Sequence, residues 1–236
     1  MLVPTHIISV IADCADWADN QAREDLINGV IVTENDYTSN FTSSLRREIN
    51  RRKISGLTAH VQVLSPKVER KAGADGCIIF KSRTHFKIGI FEAKWPRLSM
   101  CSNSWDFLQK GKSHFDQQLS KQSKLTNCAV WEMFYSEEPY GQNPTFPPFG
   151  SSCVWHDDAL VASAARNHAM PWNDAELRAL LANNFQSVGS IVTTICECIK
   201  GKELPINVLS NWLSDLRIGG QATIVKFNGP VDQRDV

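Results

Sequence analysis

Residues 73 to 95 read GADGCIIFKSRTHFKIGIFEAKW, in which two apolar runs flank the polar segment KSRTH. The first run, Cys77 to Phe80, is short and apolar, whereas the second, Lys87 to Glu92, alternates polar and apolar residues. Both patterns predict β-strands. Because successive side chains of a strand point to opposite faces, Glu92 and Lys94 share one face. The second strand therefore ends in a carboxylate and an ammonium on the same side of the sheet.

Asp75 opens the first of these strands. If the two strands pair as neighbours, Asp75 lies beside Glu92, and two carboxylates and the Lys94 ammonium meet at one edge of the sheet. Mg²⁺ commonly binds one or two protein carboxylates and completes its coordination with water and substrate phosphate. A lysine next to such an ion can orient or deprotonate the attacking water and offset charge on a phosphoryl oxygen. These residue types predict phosphodiester hydrolysis, and the plain alternative is a strand end with a surface ion pair.

The spacing of these residues resembles a known motif. Asp75 is followed by sixteen residues and then by Glu92-Ala93-Lys94, which is similar to the motif of the PD-(D/E)xK nuclease superfamily, whose fold is restriction-endonuclease-like. The family's proline before the aspartate is Ala74 in this chain. The resemblance implies that Asp75, Glu92 and the carbonyl of Ala93 bind Mg²⁺, for which Mn²⁺ would substitute. It also implies that Lys94 positions the attacking water.

The segments around the motif predict the order helix, strand, strand, strand, helix, strand. Apolar residues four apart predict a first helix from about Thr38 to Arg52, capped by a residue at positions 36 to 39, and alternation predicts a strand from Leu57 to Leu64. A second helix is predicted from about Ser104 to Ser123, followed by a buried strand from Cys128 to Tyr135. This is the α-β-β-β-α-β core that the resemblance implies.

We therefore expect an α/β fold with a mixed central sheet flanked by helices. Residues 1–136 are predicted to form the nuclease-like core with an N-terminal helical lead-in. Residues 137–236 are predicted to form a Pro-rich loop and a mainly helical C-terminal extension, packed on the core as one compact unit. Within the extension we expect a long helix from Asn173 to Lys200, a shorter one from about Ile206 to Leu213, and an edge strand in QATIVKFNG.

The resemblance further implies an acidic residue from the first helix and a glutamine from the second. Glu34, just ahead of the predicted first helix, is the first candidate to support a second ion or a metal-bound water; Glu69 is the second and Glu48 the third. Glu48 lies near the basic end of the helix and is expected to pair with arginines in solvent. Gln118 is the candidate glutamine. The simpler interpretations are helix capping for Glu34 and an ordinary polar helix face for Gln118.

Charge is unevenly distributed along a chain whose total is zero. Residues 37–125 hold 17 Lys and Arg against 6 Asp and Glu, a net of +11, whereas both flanking segments are acidic. Basic residues around a carboxylate site steer and bind a polyanion, and solvated helix and strand faces are the plain alternative. We expect nucleic-acid contacts from five residues of this segment: Arg46, Arg47, Arg51, Lys81 and Arg83.

Two other segments contain residue types found in binding sites. His156, Asp157 and Asp158 are consecutive and so converge poorly on one ion; Asp157 or Asp158 is instead predicted to cap a helix. The Pro-rich loop contains aromatic residues that either stack on bases or pin the loop to the core, namely Tyr140, Phe146 and Phe149.

Composition restricts the class of protein. No run approaches the ~18 to 20 apolar residues of a membrane span, so we expect no membrane partner. Seven cysteines without a Cys-x-x-Cys pair predict a reduced, cytoplasmic protein without structural zinc. The C-terminal helices are candidates for a homodimer or partner-protein interface. DNA is favoured over RNA because most of the superfamily acts on DNA.

Three functions fit these observations. The first is a metal-dependent nuclease, endo- or exonucleolytic, that hydrolyses DNA by a Mg²⁺-activated water. The second is a catalytically inactive module of the same fold that binds nucleic acid or protein and acts with a partner, which the near-neutral total charge favours. The third is an unrelated α/β protein with a coincidental motif, in which Asp75 and Glu92 would lie far apart.

Overall fold

The computed structural model describes residues 1–63, 74–96, 105–136, 150–215 and 221–229. In these ranges the chain forms an α/β fold whose centre is a seven-stranded mixed sheet. The strands are β1 Leu57–Val63, β2 Gly76–Lys81, β3 His85–Lys94, β4 Leu108–Gln109, β5 Lys112–Ser113, β6 Ala129–Phe134, β7 Ser152–Trp155, β8 Leu204–Pro205 and β9 Gln221–Phe227; β4 and β5 form a separate hairpin.

The strand order of the sheet is β1-β9-β2-β3-β6-β7, and β8 pairs with β3. β2 and β3 are antiparallel with Gly76 opposite Phe91, and β3 and β6 are parallel with Glu92 opposite Glu132. The start of β2 and the ends of β3 and β6 therefore lie at the same edge of the sheet. That edge holds the candidate site.

Helices pack on both faces of the sheet. They are α1 Thr5–Ile27, α2 Glu34–Arg51, α3 His114–Gln122, α4 His156–Ala164, α5 Asp174–Asn184, α6 Val188–Cys196 and α7 Leu209–Asp215, the last preceded by a 3-10 turn at Ile206–Val208. α1, α2 and α6 bury one face around Phe91 and Trp131, whose rings stack at 5.3 Å. On the other face, α3, α4 and α5 share a core around Phe115, Phe134 and Trp172. No described helix is long and apolar enough to cross a membrane.

The predicted order of the core elements is confirmed. α2, β1, β2, β3, α3 and β6 follow one another as expected, and the four strands begin and end within two residues of the predicted bounds wherever those bounds are described. Leu64, the predicted end of β1, lies outside the described residues, as do Glu69 and the three loop aromatics at 140, 146 and 149.

The predicted start of the first helix was wrong. α2 begins at Glu34, and its cap is Thr33, whose side chain accepts a hydrogen bond from the Asp36 backbone N–H at 3.1 Å. Glu34 and Asp36 lie in the first turn, where carboxylates are stabilised by the helix dipole. The apolar stripe starts only at Tyr37, so periodicity alone placed the start one turn too late.

The predicted start of the second helix was also wrong. Residues 108–113 form the β4–β5 hairpin, whose two-residue turn has Lys110 at φ +54° and Gly111 at φ +73°. Both values are left-handed, as a type I′ turn requires. α3 begins only at His114, after the Ser113 side chain accepts a hydrogen bond from the Asp116 N–H at 3.1 Å. Trp105 and Leu108 precede α3 but have the apolar spacing of a helix, and this spacing led to the early predicted start.

The C-terminal third departs from its predicted elements at several points. The long helix is divided into α5 and α6, because Phe185 is extended and Ser187 caps a new helix. Neither Asp157 nor Asp158 caps α4, whose N-cap residue Trp155 makes no side-chain cap bond. The extension also supplies three strands of the sheet, β7, β8 and β9. β9 is not an edge strand, since it lies between β1 and β2.

Candidate functional site

Asp75 is held against the end of β3 by two hydrogen bonds. Its backbone N–H donates to the Phe91 carbonyl at 2.9 Å, and its Oδ2 accepts from the Ala93 N–H at 3.1 Å. Gly76 permits this approach, because a Cβ there would collide with the Phe91 ring. The antiparallel register of β2 and β3 therefore places Asp75 beside Glu92, as the sequence predicted.

Glu92, Lys94 and Gln118 form a buried cluster at the same edge. Lys94 Nζ donates to Glu92 Oε1 at 2.6 Å, and Gln118 Nε2 of α3 donates to the same oxygen. Glu92 is 2 % exposed and Lys94 7 % exposed. Gln118 Oε1 is buried and has no hydrogen-bond partner among the described residues. The cluster thus contains an unused acceptor directly beside Glu92.

Burial governs the protonation of this cluster. Burial raises the pKa of Glu92 to about 8; the Lys94 ammonium opposes this shift and the Asp75 carboxylate adds to it. For Lys94, burial lowers the pKa, but the carboxylates of Glu92, Glu34 and Asp75 outweigh burial and hold its pKa above the usual range. Lys94 is therefore a cation, and Glu92 favours a proton or a bound cation.

Glu34 reaches the site from the first turn of α2. Its Oε1 accepts a hydrogen bond from the Trp95 N–H at 3.2 Å, and its carboxylate is close enough to raise the pKa of Lys94. Glu48 does not join the site, because it pairs with Arg51 at 2.7 Å and Arg52 at 2.8 Å near the other end of α2. The expected pairing of Glu48 is confirmed, but its carboxylate is buried rather than solvated.

A second buried carboxylate was not predicted from the sequence. Glu132 lies opposite Glu92 in the β3–β6 register, and burial raises its pKa. Its Oε1 lies 3.3 Å from His156 Nδ1, and its Oε2 accepts from Gln122 Nε2 at 3.5 Å. The available signal was a lone glutamate in the apolar run CAVWEMFY. Glu132 extends the polar layer of the site across a third strand.

The five basic residues predicted to bind nucleic acid lie away from the carboxylates. Lys81 ends β2, six residues or ~20 Å from Asp75, and Arg83 follows it, donating to the Asn228 carbonyl at 2.8 Å. Arg46 lies twelve residues or ~18 Å along α2 from Glu34, with Arg47 and Arg51 further on. If these five residues contact phosphates, the substrate must extend well beyond the carboxylate site.

The donor set fits a hard divalent cation. Within the described ranges, no three His, Cys, Asp or Glu side chains are already grouped as a metal site. Mg²⁺ needs fewer, since it commonly takes one or two carboxylates and keeps several waters. The Asp75 and Glu92 carboxylates and the Ala93 carbonyl are such oxygen donors, and the unused Gln118 Oε1 is an acceptor for a water beside them.

Comparisons with protein-family models, with curated proteins and with solved structures found no match to this chain. Its function must therefore be inferred from the site itself.

Proposed function

We propose that this protein is a Mg²⁺- or Mn²⁺-dependent nuclease of the PD-(D/E)xK type, with a restriction-endonuclease-like core, and that it hydrolyses phosphodiester bonds in DNA. The observation that carries this proposal is the convergence of Asp75, Glu92, Lys94 and Gln118 at one sheet edge. These residues come from three separate elements. A coincidental motif gives no reason for Lys94 and Gln118 to donate to the same Glu92 oxygen while Asp75 lies opposite Glu92 on the neighbouring strand.

Each residue has a role that its contacts support. Asp75, Glu92 and the Ala93 carbonyl would hold the ion, which when bound would polarise the scissile phosphate and acidify a water. Lys94 is cationic, so it supplies hydrogen bonds and positive charge to the phosphate and the attacking water. Gln118 directs its free oxygen toward that water, and Glu34 supports the arrangement from α2.

The test is cleavage of single-stranded, duplex and flapped DNA and of RNA with Mg²⁺ or Mn²⁺. Asp75→Asn, Glu92→Gln and Lys94→Ala are each expected to lower the cleavage rate by about 10²-fold or more, the usual cost of losing one preorganised electrostatic group. Glu197→Gln, which changes an exposed carboxylate at the C-cap of α6, is the matched control and should cleave like wild type.

Thermal unfolding of every variant separates loss of chemistry from loss of fold. Equal cleavage by wild type and Glu92→Gln would refute the assignment. DNA binding without cleavage under every metal condition would instead support the catalytically inactive module that acts with a partner.

A further inference from the structure

A short hairpin immediately before α3 presents apolar and basic side chains to solvent. Phe107 is 56 % exposed and Leu108 46 % exposed, and Lys110 and Lys112 are exposed beside them. Large apolar side chains that are exposed next to each other, and not singly, are typical of a contact surface. The positive charge of Lys110 and Lys112 is complementary to a polyanion.

This hairpin is held firmly in place. Asp106 is buried and accepts a hydrogen bond from Ser113 Oγ at 2.6 Å. Gln117 of α3 donates through Nε2 to the carbonyls of Gln109 at 3.0 Å and Lys112 at 3.2 Å. The exposed side chains therefore stand on a fixed backbone, which lowers the entropy lost when a ligand binds.

One face of the hairpin forms an aromatic platform. The rings of Phe107 and His114 stack at 4.6 Å with an interplanar angle of 19°. Strand alternation puts Gln109 and Lys112 on the same face, and Gln109 Oε1 lies 3.3 Å from His114 Nδ1. Lys110 stands at the turn. His114 covers one side of the Phe107 ring, and much of the ring surface remains open.

The platform lies next to the carboxylates. His114 begins α3, and Gln118, which contacts Glu92, follows one helical turn or ~6 Å later on the same side. Burial, and next the Lys94 ammonium, lower the pKa of His114, so the imidazole lies within electrostatic range of that lysine. The ~6 Å between His114 and Gln118 corresponds to about one to two nucleotides of a strand.

We propose that this hairpin binds an unpaired nucleotide of a DNA strand, with its base stacked on Phe107 and neighbouring phosphates contacted by Lys110 and Lys112. The identity of the strand rests on the proposed nuclease function. Stacking on an aromatic ring tolerates any base but needs an open base face. The preferred substrates are therefore single strands, overhangs or flaps rather than fully paired duplex.

The test is the affinity of the full chain for labelled single-stranded, flapped and blunt duplex DNA, measured with Ca²⁺ as the divalent cation. Phe107→Ala and Phe107→Leu are expected to weaken binding to the single strand roughly tenfold, since stacking contributes about 1–3 kcal/mol per base. Trp17→Ala removes an aromatic side chain that is 39 % exposed on α1, and it should bind like wild type. The logarithm of the binding constant falls linearly with the logarithm of the salt concentration, and Lys110→Ala and Lys112→Ala should each reduce the magnitude of that slope by about 0.7.

The outcomes separate this proposal from the nuclease assignment. Wild-type affinity in Phe107→Ala, equal binding of blunt duplex and single strand, or no DNA binding at all would overturn the hairpin proposal. Loss of binding in Phe107→Ala but not in Phe107→Leu would mean that an apolar contact, and not stacking on an aromatic ring, holds the strand, and it would overturn the stacking proposal. Binding that depends on Phe107, without cleavage in Mg²⁺ or Mn²⁺, would support the hairpin and refute the nuclease. Cleavage in Mg²⁺ or Mn²⁺ that Phe107→Ala leaves unaffected would support the nuclease and count against the hairpin.

Discussion

Burial of the Glu92 carboxylate costs free energy that its hydrogen bonds and the Lys94 charge do not fully offset. Its carboxylate is almost completely buried, receives hydrogen bonds from Lys94 and Gln118, and still has a pKa raised to about 8, chiefly by burial. Such a residue favours the binding of a divalent cation, because the cation supplies the positive charge that stabilises the ionised, buried carboxylate. Stability in the absence of the ion is reduced in exchange.

Glu92→Gln is therefore expected to stabilise the metal-free protein at alkaline pH. A raised folded-state pKa means that the folded protein keeps a proton which the unfolded chain loses above about pH 4.5, so wild-type stability falls as pH rises from there to about 8. Urea unfolding in EDTA at pH 9 should show a gain on the order of 1 kcal/mol in the variant, shrinking toward pH 5. A variant less stable than wild type at pH 9 would contradict this account of Glu92.

The contacts of Asp75, Glu92 and Lys94 were predictable because they depend on local geometry. Period 2 fixes the shared face of Glu92 and Lys94, and a short connection between β2 and β3 brings Asp75 back beside Glu92. Glu132 and His156 were not predictable in this way. Their approach to the site depends on the parallel pairing of β3 with β6 and on the antiparallel pairing of β6 with β7, and neither pairing is fixed by a short connection.

Among the elements, α3 is the one that joins the site to the hairpin, and Asp116 anchors it. Asp116 accepts hydrogen bonds from Ser163 Oγ at 2.7 Å, Trp172 Nε1 at 2.8 Å, Arg166 at 2.8 Å and His168 Nδ1 at 2.7 Å. Burial raises the pKa of Asp116, but these donors outweigh burial and hold the pKa below its usual range. One carboxylate thus fastens α3 to α4 and to the segment before α5.

Asp116→Ala is expected to destabilise the fold by about 3–5 kcal/mol at pH 7. It leaves the buried Ser163 and Trp172 donors unsatisfied, at about 1–3 kcal/mol each, and it removes one of the two carboxylates that pair with Arg166. Asp157→Ala, which breaks an exposed pair with Lys200 at 2.8 Å, is the matched control and should cost at most about 1 kcal/mol. Urea unfolding measures both. Equal losses would refute the role of Asp116.

The pH dependence of Asp116 gives an independent check. Because its folded pKa is lowered, its ionised form stabilises the fold above the unfolded pKa near 3.8, and this contribution is lost as pH falls through the folded value. The difference in stability between wild type and Asp116→Asn should therefore narrow only below about pH 4. A difference that narrows near neutral pH would contradict this role of the Asp116 carboxylate.

The boundary between hairpin and helix shows why elements were predicted less well than the motif. Trp105, Leu108, Phe115 and Leu119 have helical spacing, yet the first two precede α3. The left-handed turn at Lys110-Gly111 and the Ser113 cap prevail over that spacing, since they satisfy backbone groups directly. Leu108 is consequently exposed on the hairpin, a position that helix periodicity would have buried.

At the scale of the whole molecule, the last described strand completes the sheet. β9 pairs antiparallel with β1 from Leu57↔Phe227 to Val63↔Gln221 and parallel with β2 from Cys77↔Ala222 to Lys81↔Lys226. In the strand order, β9 is the neighbour that connects β1 to the rest of the sheet. No sequence pattern reveals such an insertion, because QATIVKF reads equally well as an edge or a central strand.

A chain that ends at residue 215 is therefore expected not to reach the native fold, although it keeps the site and all seven described helices. Without β9, the backbone groups of β1 and of one edge of β2 lose their partners, and Ile224 and Val225 leave the two cores. A chain that ends at residue 229 keeps every described strand and is the matched control. Circular dichroism, thermal unfolding and hydrogen exchange of the β2 amides would compare the two. A cooperative transition in the 215-residue chain, with protected β2 amides, would contradict this expectation and would mean that the site edge forms independently of β9.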